Sequence, residues 1–94
     1  MKIRNFVHKV LKRLYLEDSP KGLPPDAVDK LQAMMTFLQD MKDPDTLRVF
    51  PLWKAHQLTG ERKGVWSLHV TRNWRLTFQI KNGEIWNVDY EDYH

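Results

Sequence analysis

The stretch VWSLHVTRNWRLTFQIKNGEIWNVDY, residues 65–90, decides the fold. Apolar and polar residues alternate in three runs of it, 65–71, 74–80 and 85–90, and short segments containing Asn or Gly separate the runs. Alternation with a period of two is typical of a strand that buries one face. The stretch therefore predicts three consecutive antiparallel strands.

The connections between these strands follow from which residues should share a face, because directly opposed residues lie on the same side of a sheet. A two-residue loop at Asn82 and Gly83 would set polar residues against apolar ones. A three-residue loop, 81–83, instead pairs Phe78 with Trp86 and Leu76 with Val88, and it puts Gly83 at a left-handed position. We therefore expect the longer loop.

The same argument predicts a three-residue loop at 71–73, with Leu68 opposite Leu76 and Val70 opposite Trp74. The face opposite the core then carries two polar rows. These rows are His69, Arg75 and Asp89, and Ser67, Thr77 and Asn87. Two helices cover only one side of such a sheet, so the polar face is predicted to be a wet surface open to a polyanion.

The two helices are predicted in the first half of the chain. Apolar residues recur at helical spacing over 5–16, with basic residues on the other face, and Pro24 and Pro25 begin a second helix of about 17 residues. A short strand within 53–58 would deliver His56, and loop 60–64 would be basic. The expected fold is α+β: two N-terminal helices on one face of a small, mostly antiparallel sheet, in one domain over residues 1–94.

Composition excludes several kinds of chemistry. The 94 residues contain no cysteine, so disulfides, thiolate nucleophiles and thiolate metal sites are excluded. The longest apolar runs fall short of the ~18 residues that a membrane span needs, and we expect a cytoplasmic protein. The net charge of +3 is local, since the first sixteen residues hold five Lys or Arg and no Asp or Glu.

The residue types that remain suit RNA cleavage by the 2′-hydroxyl group. That reaction needs a base, an acid and a cation for the phosphate, and His56, His94 and Arg75 supply these types. Each also has a plainer interpretation. His56 could be a structural histidine, Arg75 could pair with Asp89 across the strands, and the last residues could be a frayed terminus.

Longer segments resemble a known family. Residues 64–70, 73–78 and 87–94 resemble the HigB toxins of the RelE family, and His56-Gln57-Leu58 followed by Gly60-Glu61-Arg62 resembles their His-x-Leu-Lys-Gly-x-Arg stretch. The resemblance implies a RelE-like microbial RNase fold and a ribosome-dependent endonuclease that cleaves mRNA in the A site of the 30S subunit without a metal or cofactor. It also implies a HigA-like helix-turn-helix antitoxin, through which alone the toxin would contact operator DNA.

By position, the resemblance assigns roles to five residues. His56 would position or deprotonate the 2′-hydroxyl, Arg75 would stabilise the phosphate, Tyr93 and His94 would place the substrate and transfer protons, and Asp92 would tune the site. The family's lysine falls at Thr59, where Lys54 or Lys63 could supply a cation instead. The residues expected to contact RNA or the ribosome are Lys9, Lys12, Arg13, Lys54, Arg62, Lys63 and Arg72.

Two other functions fit the same sequence. A relative in the same superfamily could poison DNA gyrase, as ParE-like toxins do, in which case the histidines would be incidental. A non-catalytic RNA-binding module could instead use the basic helix and the polar sheet face. His69 lies on the predicted polar face beside Arg75, and the resemblance assigns it no role.

Overall fold

A computed structural model of the chain describes residues 1–93, and His94 lies outside the described residues. The elements in chain order are β1 (Lys2–Ile3), α1 (Lys9–Glu17), α2 (Pro25–Asp40), β2 (His56–Gln57), β3 (Trp66–Thr71), β4 (Trp74–Lys81) and β5 (Glu84–Asp92). Short 3-10 turns at Pro44–Val49, Pro51–Trp53 and Gly60–Arg62 link α2 to β3. The sheet order is β1-β5-β4-β3-β2, and β1 alone is parallel to its neighbour. The α+β prediction is confirmed.

One core joins the helices to one face of the sheet. Most of its buried residues come from both helices and from the inward face of the strands: Leu11, Leu14, Ala27, Leu31, Met34, Met35, Leu38, Trp66, Leu68, Val70, Leu76, Phe78, Ile85, Val88 and Tyr90. Burying these side chains is the main favourable term in folding. Within residues 1–93, no helix has both the length and the apolar character of a membrane span.

The first helix begins later than its periodicity predicts. It starts at Lys9, where the Nδ1 atom of His8 caps it by accepting a hydrogen bond from the Leu11 N–H at 3.1 Å. The preceding residues instead run along β5, and Val7 N–H donates to Val88 O at 2.8 Å. The edge of β5 satisfies backbone groups that a helix would otherwise have to satisfy internally. The second helix has 16 residues and begins at Pro25, close to the prediction.

The loop of the β4–β5 hairpin has two residues rather than the predicted three. Lys81 pairs with Glu84, so only Asn82 and Gly83 form the loop, with φ angles of 53° and 73°. Positive φ at both positions is typical of the tight turn that matches strand twist. Gln79, not Phe78, lies opposite Trp86.

A β-bulge in β5 turns the residues that follow it back to the sheet face predicted for them. Thr77 pairs with Asp89 although Gln79 pairs with Trp86, so two residues of β5 oppose Phe78 alone. One of them, Asn87, has a left-handed φ of 56°. Residues after the bulge therefore return to the expected face. Leu76 then lies opposite Tyr90, not Val88 as predicted.

The bulge also changes the two polar rows. Ile85 takes the core position that was predicted for Trp86, and the Trp86 ring is covered by Arg4, whose Cζ is 5.5 Å from the ring centre. Glu91, rather than Asp89, lies opposite Arg75, and Asp89 lies opposite Thr77. Asn87 leaves its predicted row because it occupies the bulge.

The β3–β4 connection is also shorter than predicted. Leu68 lies opposite Leu76 as expected, but Thr71 pairs with Trp74, and Arg72 and Asn73 alone form the loop. A register shift between His69 and Thr71 absorbs the extra residue, Val70, which is buried. The predicted pair of Val70 with Trp74 is therefore wrong.

We predict that the bulge depends on the side chain of Asn87. Its amide nitrogen donates to Gln79 Oε1 at 2.7 Å, and its Oδ1 accepts from Asn5 Nδ2 at 2.8 Å. Asn87→Val removes both bonds and places a β-branched residue at positive φ, so it should lower the free energy of unfolding by about 2 kcal/mol. Urea denaturation measures the change.

The matched control is Asn87→Gly, which loses the same side-chain bonds but adopts positive φ without strain. It should cost clearly less than the valine variant. Equal losses in the two variants would contradict a role for backbone strain at this position.

Candidate active site

A cleft of about 90 Å³ opens on the outer face of the sheet, on the side away from the helices. Its lining residues come from β3, β4, the end of β5 and the loop that precedes β3: Leu58, Arg62, Ser67, Arg75, Thr77, Glu91, Asp92 and Tyr93. The structure thus brings together Arg75, Asp92 and Tyr93, three of the residues expected to act in catalysis. Arg62, expected to contact RNA, lies with them.

Arg75 is anchored through one terminal nitrogen. Its Nη1 donates to the carbonyl oxygens of Thr71 at 2.9 Å, Trp74 at 3.0 Å and Arg72 at 3.3 Å, all in or beside the β3–β4 turn. The guanidinium carbon lies 4.3 Å from the centre of the Tyr93 ring, a cation–π contact. These contacts hold the guanidinium plane in one orientation, which suits a group that binds phosphate through two parallel donors.

Tyr93 is tied to the turn that anchors Arg75. Its backbone N–H donates to Asn73 O in this turn at 2.5 Å. The side chain is 60% exposed. Asp92, just before it, pairs with Trp74 in the ladder. The predicted role of His94 falls outside the described residues.

His56 approaches from the edge of the sheet. Strand β2 places it opposite Ser67, which is itself opposite Thr77. Two strand spacings then put its Cα roughly 10 Å from that of Thr77. The Nδ1 atom lies 2.8 Å from Lys54 O, and a carbonyl only accepts, so Nδ1 is the donor in this contact. In the neutral ring, Nε2 is then the acceptor.

Glu91 is the site residue that the sequence argument missed. Arg62 donates to both of its carboxylate oxygens, at 2.9 and 2.6 Å, and the Thr77 hydroxyl donates to Oε2 as well. The hydrogen bond from Arg62 is the main cause of a lowered Glu91 pKa, and the same bond raises the pKa of Arg62. The signal that could have found Glu91 is the bulge, which places it opposite Arg75.

The polar face is not wet throughout as expected, because the Arg62–Glu91 pair covers part of it. This pair holds the turn Gly60–Arg62 over the sheet, and Ser67 and Thr77 are only 2% and 4% exposed. Arg62 is therefore a structural partner of Glu91 as well as a candidate RNA contact. The outer face is open on either side of this cover.

The other basic residues divide between two sides of the molecule. Lys54, Lys63 and Arg72 are exposed near the cleft, in the segment before β2, the loop before β3 and the β3–β4 turn. Exposed Lys9, Lys12 and Arg13 lie on α1, which packs on the opposite face of the sheet. Thr59 is exposed, and no group of His, Asp and Glu suited to a metal ion occurs within residues 1–93.

Comparison with known proteins decides the family. Residues 4–94 match the family of RelE-like toxins of the HigB type II toxin–antitoxin system. The chain belongs to this family. The toxin is also 37% identical over 92 residues to Endoribonuclease HigB of Proteus vulgaris, with 98% of this chain and 99% of that protein aligned.

Solved structures support the fold of the toxin. YafQ in the E. coli DinJ–YafQ toxin–antitoxin complex superposes with a TM-score of 0.63 at 20% identity, covering 98% of this chain and 93% of that one. A YoeB/ParE toxin from Agrobacterium tumefaciens gives 0.55 at 15% identity, covering 100% and 99%. At these identities the likeness concerns the fold alone.

We predict that Glu91→Gln changes how the stability of the toxin depends on pH. The folded pKa of Glu91 is below its usual value of 4.5, so the carboxylate contributes stability above that value and loses it as pH falls through the folded pKa. The variant should be less stable than wild type at pH 7, and the gap should narrow towards pH 3.

Urea denaturation of both proteins between pH 7 and pH 3 measures that gap, and subtraction removes the contribution of the other carboxylates. Asp45→Asn, which changes an exposed carboxylate paired with Arg48, is the control and should show a much smaller change. A gap that stays constant over the whole range would contradict the assigned cause of the pKa shift.

Proposed function

We propose that this toxin is an endoribonuclease that cleaves mRNA in the ribosomal A site by attack of the 2′-hydroxyl, without a metal ion or cofactor. The observation that carries the proposal is the oriented Arg75 guanidinium over Tyr93 in the cleft. The full-length similarity to an endoribonuclease supports it. The two histidines that the reaction needs are at positions 56 and 94 of the chain.

The proposed reaction divides among these residues. His56 Nε2, the acceptor nitrogen, takes the proton of the 2′-hydroxyl, and the oxygen attacks the adjacent phosphorus. Arg75 stabilises the added negative charge on the phosphate oxygens. His94 protonates the departing 5′-oxygen, Tyr93 places the substrate beside Arg75, and Asp92 tunes the charge of the site. The products are a 2′,3′-cyclic phosphate and a free 5′-hydroxyl.

The ribosome supplies geometry that the small cleft does not. In-line attack requires the 2′-oxygen, the phosphorus and the 5′-oxygen to be aligned, and an mRNA held in the A site is already constrained. The exposed Lys54, Lys63 and Arg72 bind the backbone on the cleft side, with Arg62 beside them. Lys9, Lys12 and Arg13 bind ribosomal RNA on the other side. Both sets make binding dependent on salt.

The proposed partner in the resting cell is a HigA-like antitoxin with a helix-turn-helix domain. Membership of a type II toxin–antitoxin family supports an antitoxin partner, and E. coli YafQ is solved in complex with DinJ. Operator DNA is bound through the antitoxin alone. Since mRNA and ribosomes are the targets, the toxin acts in the cytoplasm, as one domain over residues 1–94.

The direct test is primer extension on a defined mRNA in programmed ribosomes. Wild-type toxin should cleave within the A-site codon, with ribosomes required and with activity retained in EDTA. Arg75→Ala and a variant lacking His94 should each slow cleavage by roughly 10²-fold or more, as expected for loss of a charge-stabilising or proton-transfer group. Arg48→Ala, an exposed arginine in the Pro44–Val49 turn, is the control and should cleave normally.

Other outcomes point to the other functions. Folded wild-type toxin that leaves ribosome-bound mRNA intact overturns the proposal, and loss of cleavage in EDTA overturns its metal-independent form. Inhibition of purified gyrase in a supercoiling assay would indicate a ParE-like toxin. Growth arrest that survives His56→Ala together with loss of His94 would indicate a non-catalytic RNA-binding module.

A further inference from the structure

His69 is a second polar feature of the outer face. It lies directly opposite Arg75 in the β3–β4 ladder, and it is half-buried. Its Nδ1 atom is buried and makes no hydrogen bond to any residue in 1–93. A buried ring nitrogen without a partner is costly, so it calls for an explanation. Trp86 Nε1 and Tyr90 OH are also buried without a partner in residues 1–93, but only His69 lies opposite Arg75.

Within residues 1–93, the charges that shift the pKa of His69 are all positive. Burial is the largest cause of its lowered pKa, followed by the charges of Arg75, Lys54 and Lys30. These cations come from three different elements: β4, the segment before β2, and α2. Glu91, the nearest carboxylate in the same row, is engaged by Arg62 and Thr77. The imidazole is therefore neutral at pH 7 in a positive local potential.

This environment suits an anion beside the imidazole. An anion would be attracted by Lys54 and Arg75, and its charge would favour protonation of His69. Because Nδ1 is buried, Nε2 is the ring nitrogen that donates the hydrogen bond to the anion. An ordinary structural histidine would instead be expected to have a carbonyl or carboxylate partner within the fold.

We propose that His69, Lys54 and Arg75 form a second phosphate subsite, which binds the RNA phosphate next to the one that is cleaved. The inference rests on the proposed function, since it takes single-stranded RNA as the ligand. The scissile phosphate lies on the Tyr93 side of Arg75, and the neighbouring phosphate lies on the His69 side. The RNA backbone therefore crosses β4 and β3 towards the edge strand β2, which carries His56.

The test uses a 2′-O-methyl trinucleotide, which contains two phosphodiesters and cannot be cleaved by 2′-oxygen attack. NMR of the imidazole signals over pH 5–8 gives the pKa of His69 in free and saturated full-length toxin. Binding should raise the pKa of His69. Lys54→Gln should reduce this rise, whereas Lys21→Gln, which changes an exposed lysine between α1 and α2, should leave it unchanged.

The affinity for the trinucleotide gives a second readout. His69→Gln should weaken binding by roughly ten-fold, as expected for loss of one charge-assisted hydrogen bond. Wild-type binding should tighten as pH falls through the pKa of His69 in the complex, and the variant should lose that part of the pH dependence. In programmed ribosomes, His69→Gln should raise KM and leave kcat close to wild type, because the subsite binds substrate and transition state alike.

An unchanged His69 pKa in the saturated complex would overturn the subsite, and so would equal effects of the two lysine variants or no binding at millimolar trinucleotide. None of these results depends on ribosomal cleavage. Cleavage with an unresponsive His69 removes only the subsite. A responsive His69 without any cleavage on ribosomes removes the proposed nuclease function and leaves an RNA-binding surface.

Discussion

The left-handed backbone of Asn87 is the constraint on which the cleft depends. Asn5 and Gln79 hold its side chain, and the bulge that it forms lets two residues of β5 oppose one residue of β4. Shifting a strand by one residue exchanges its two faces. Without the bulge the tight hairpin would turn Tyr90 outward and Glu91 into the core. With the bulge, the last residues of β5 reach the cleft in the correct orientation.

Glu91 then determines which cation remains available for a substrate. It lies opposite Arg75 in the ladder, where the two could form a simple ion pair. Arg62 and Thr77 instead engage the carboxylate oxygens, and Arg75 is anchored by uncharged carbonyls of the adjoining turn. A guanidinium held by carbonyls keeps its full positive charge, which under the proposed function stabilises a phosphate. The Arg62–Glu91 ion pair also holds the turn before β3 in place, and this turn forms one wall of the cleft.

Alternation of apolar and polar residues was sufficient to predict the three long strands and the pairing of Leu68 with Leu76. The face argument was also sound, since Leu76 does oppose an apolar residue, Tyr90. The argument was wrong about the position of the extra residue, which it placed in the loop and which the structure has in the β5 bulge. An Asn-Gly sequence suits loops of either length, and a bulge leaves no periodic signal. Strand β1 has only two residues, too few to show a period. The Arg62–Glu91 pair joins residues 29 positions apart, and its prediction required the correct register.

Residue types and the resemblance were sufficient to predict the residues of the candidate site. They did not predict on which side of the molecule each basic residue lies. Arg75, Asp92 and Tyr93 do meet in one cleft, and β2 brings His56 to its edge. The sequence argument did not say which way the basic residues of α1 point, although a two-layer fold determines this. A helix that buries its apolar face on a sheet must point its polar face away from the polar face of that sheet. Under the proposed function, one RNA segment therefore cannot contact both surfaces directly, so mRNA binds on the cleft side and α1 contacts ribosomal RNA on the other.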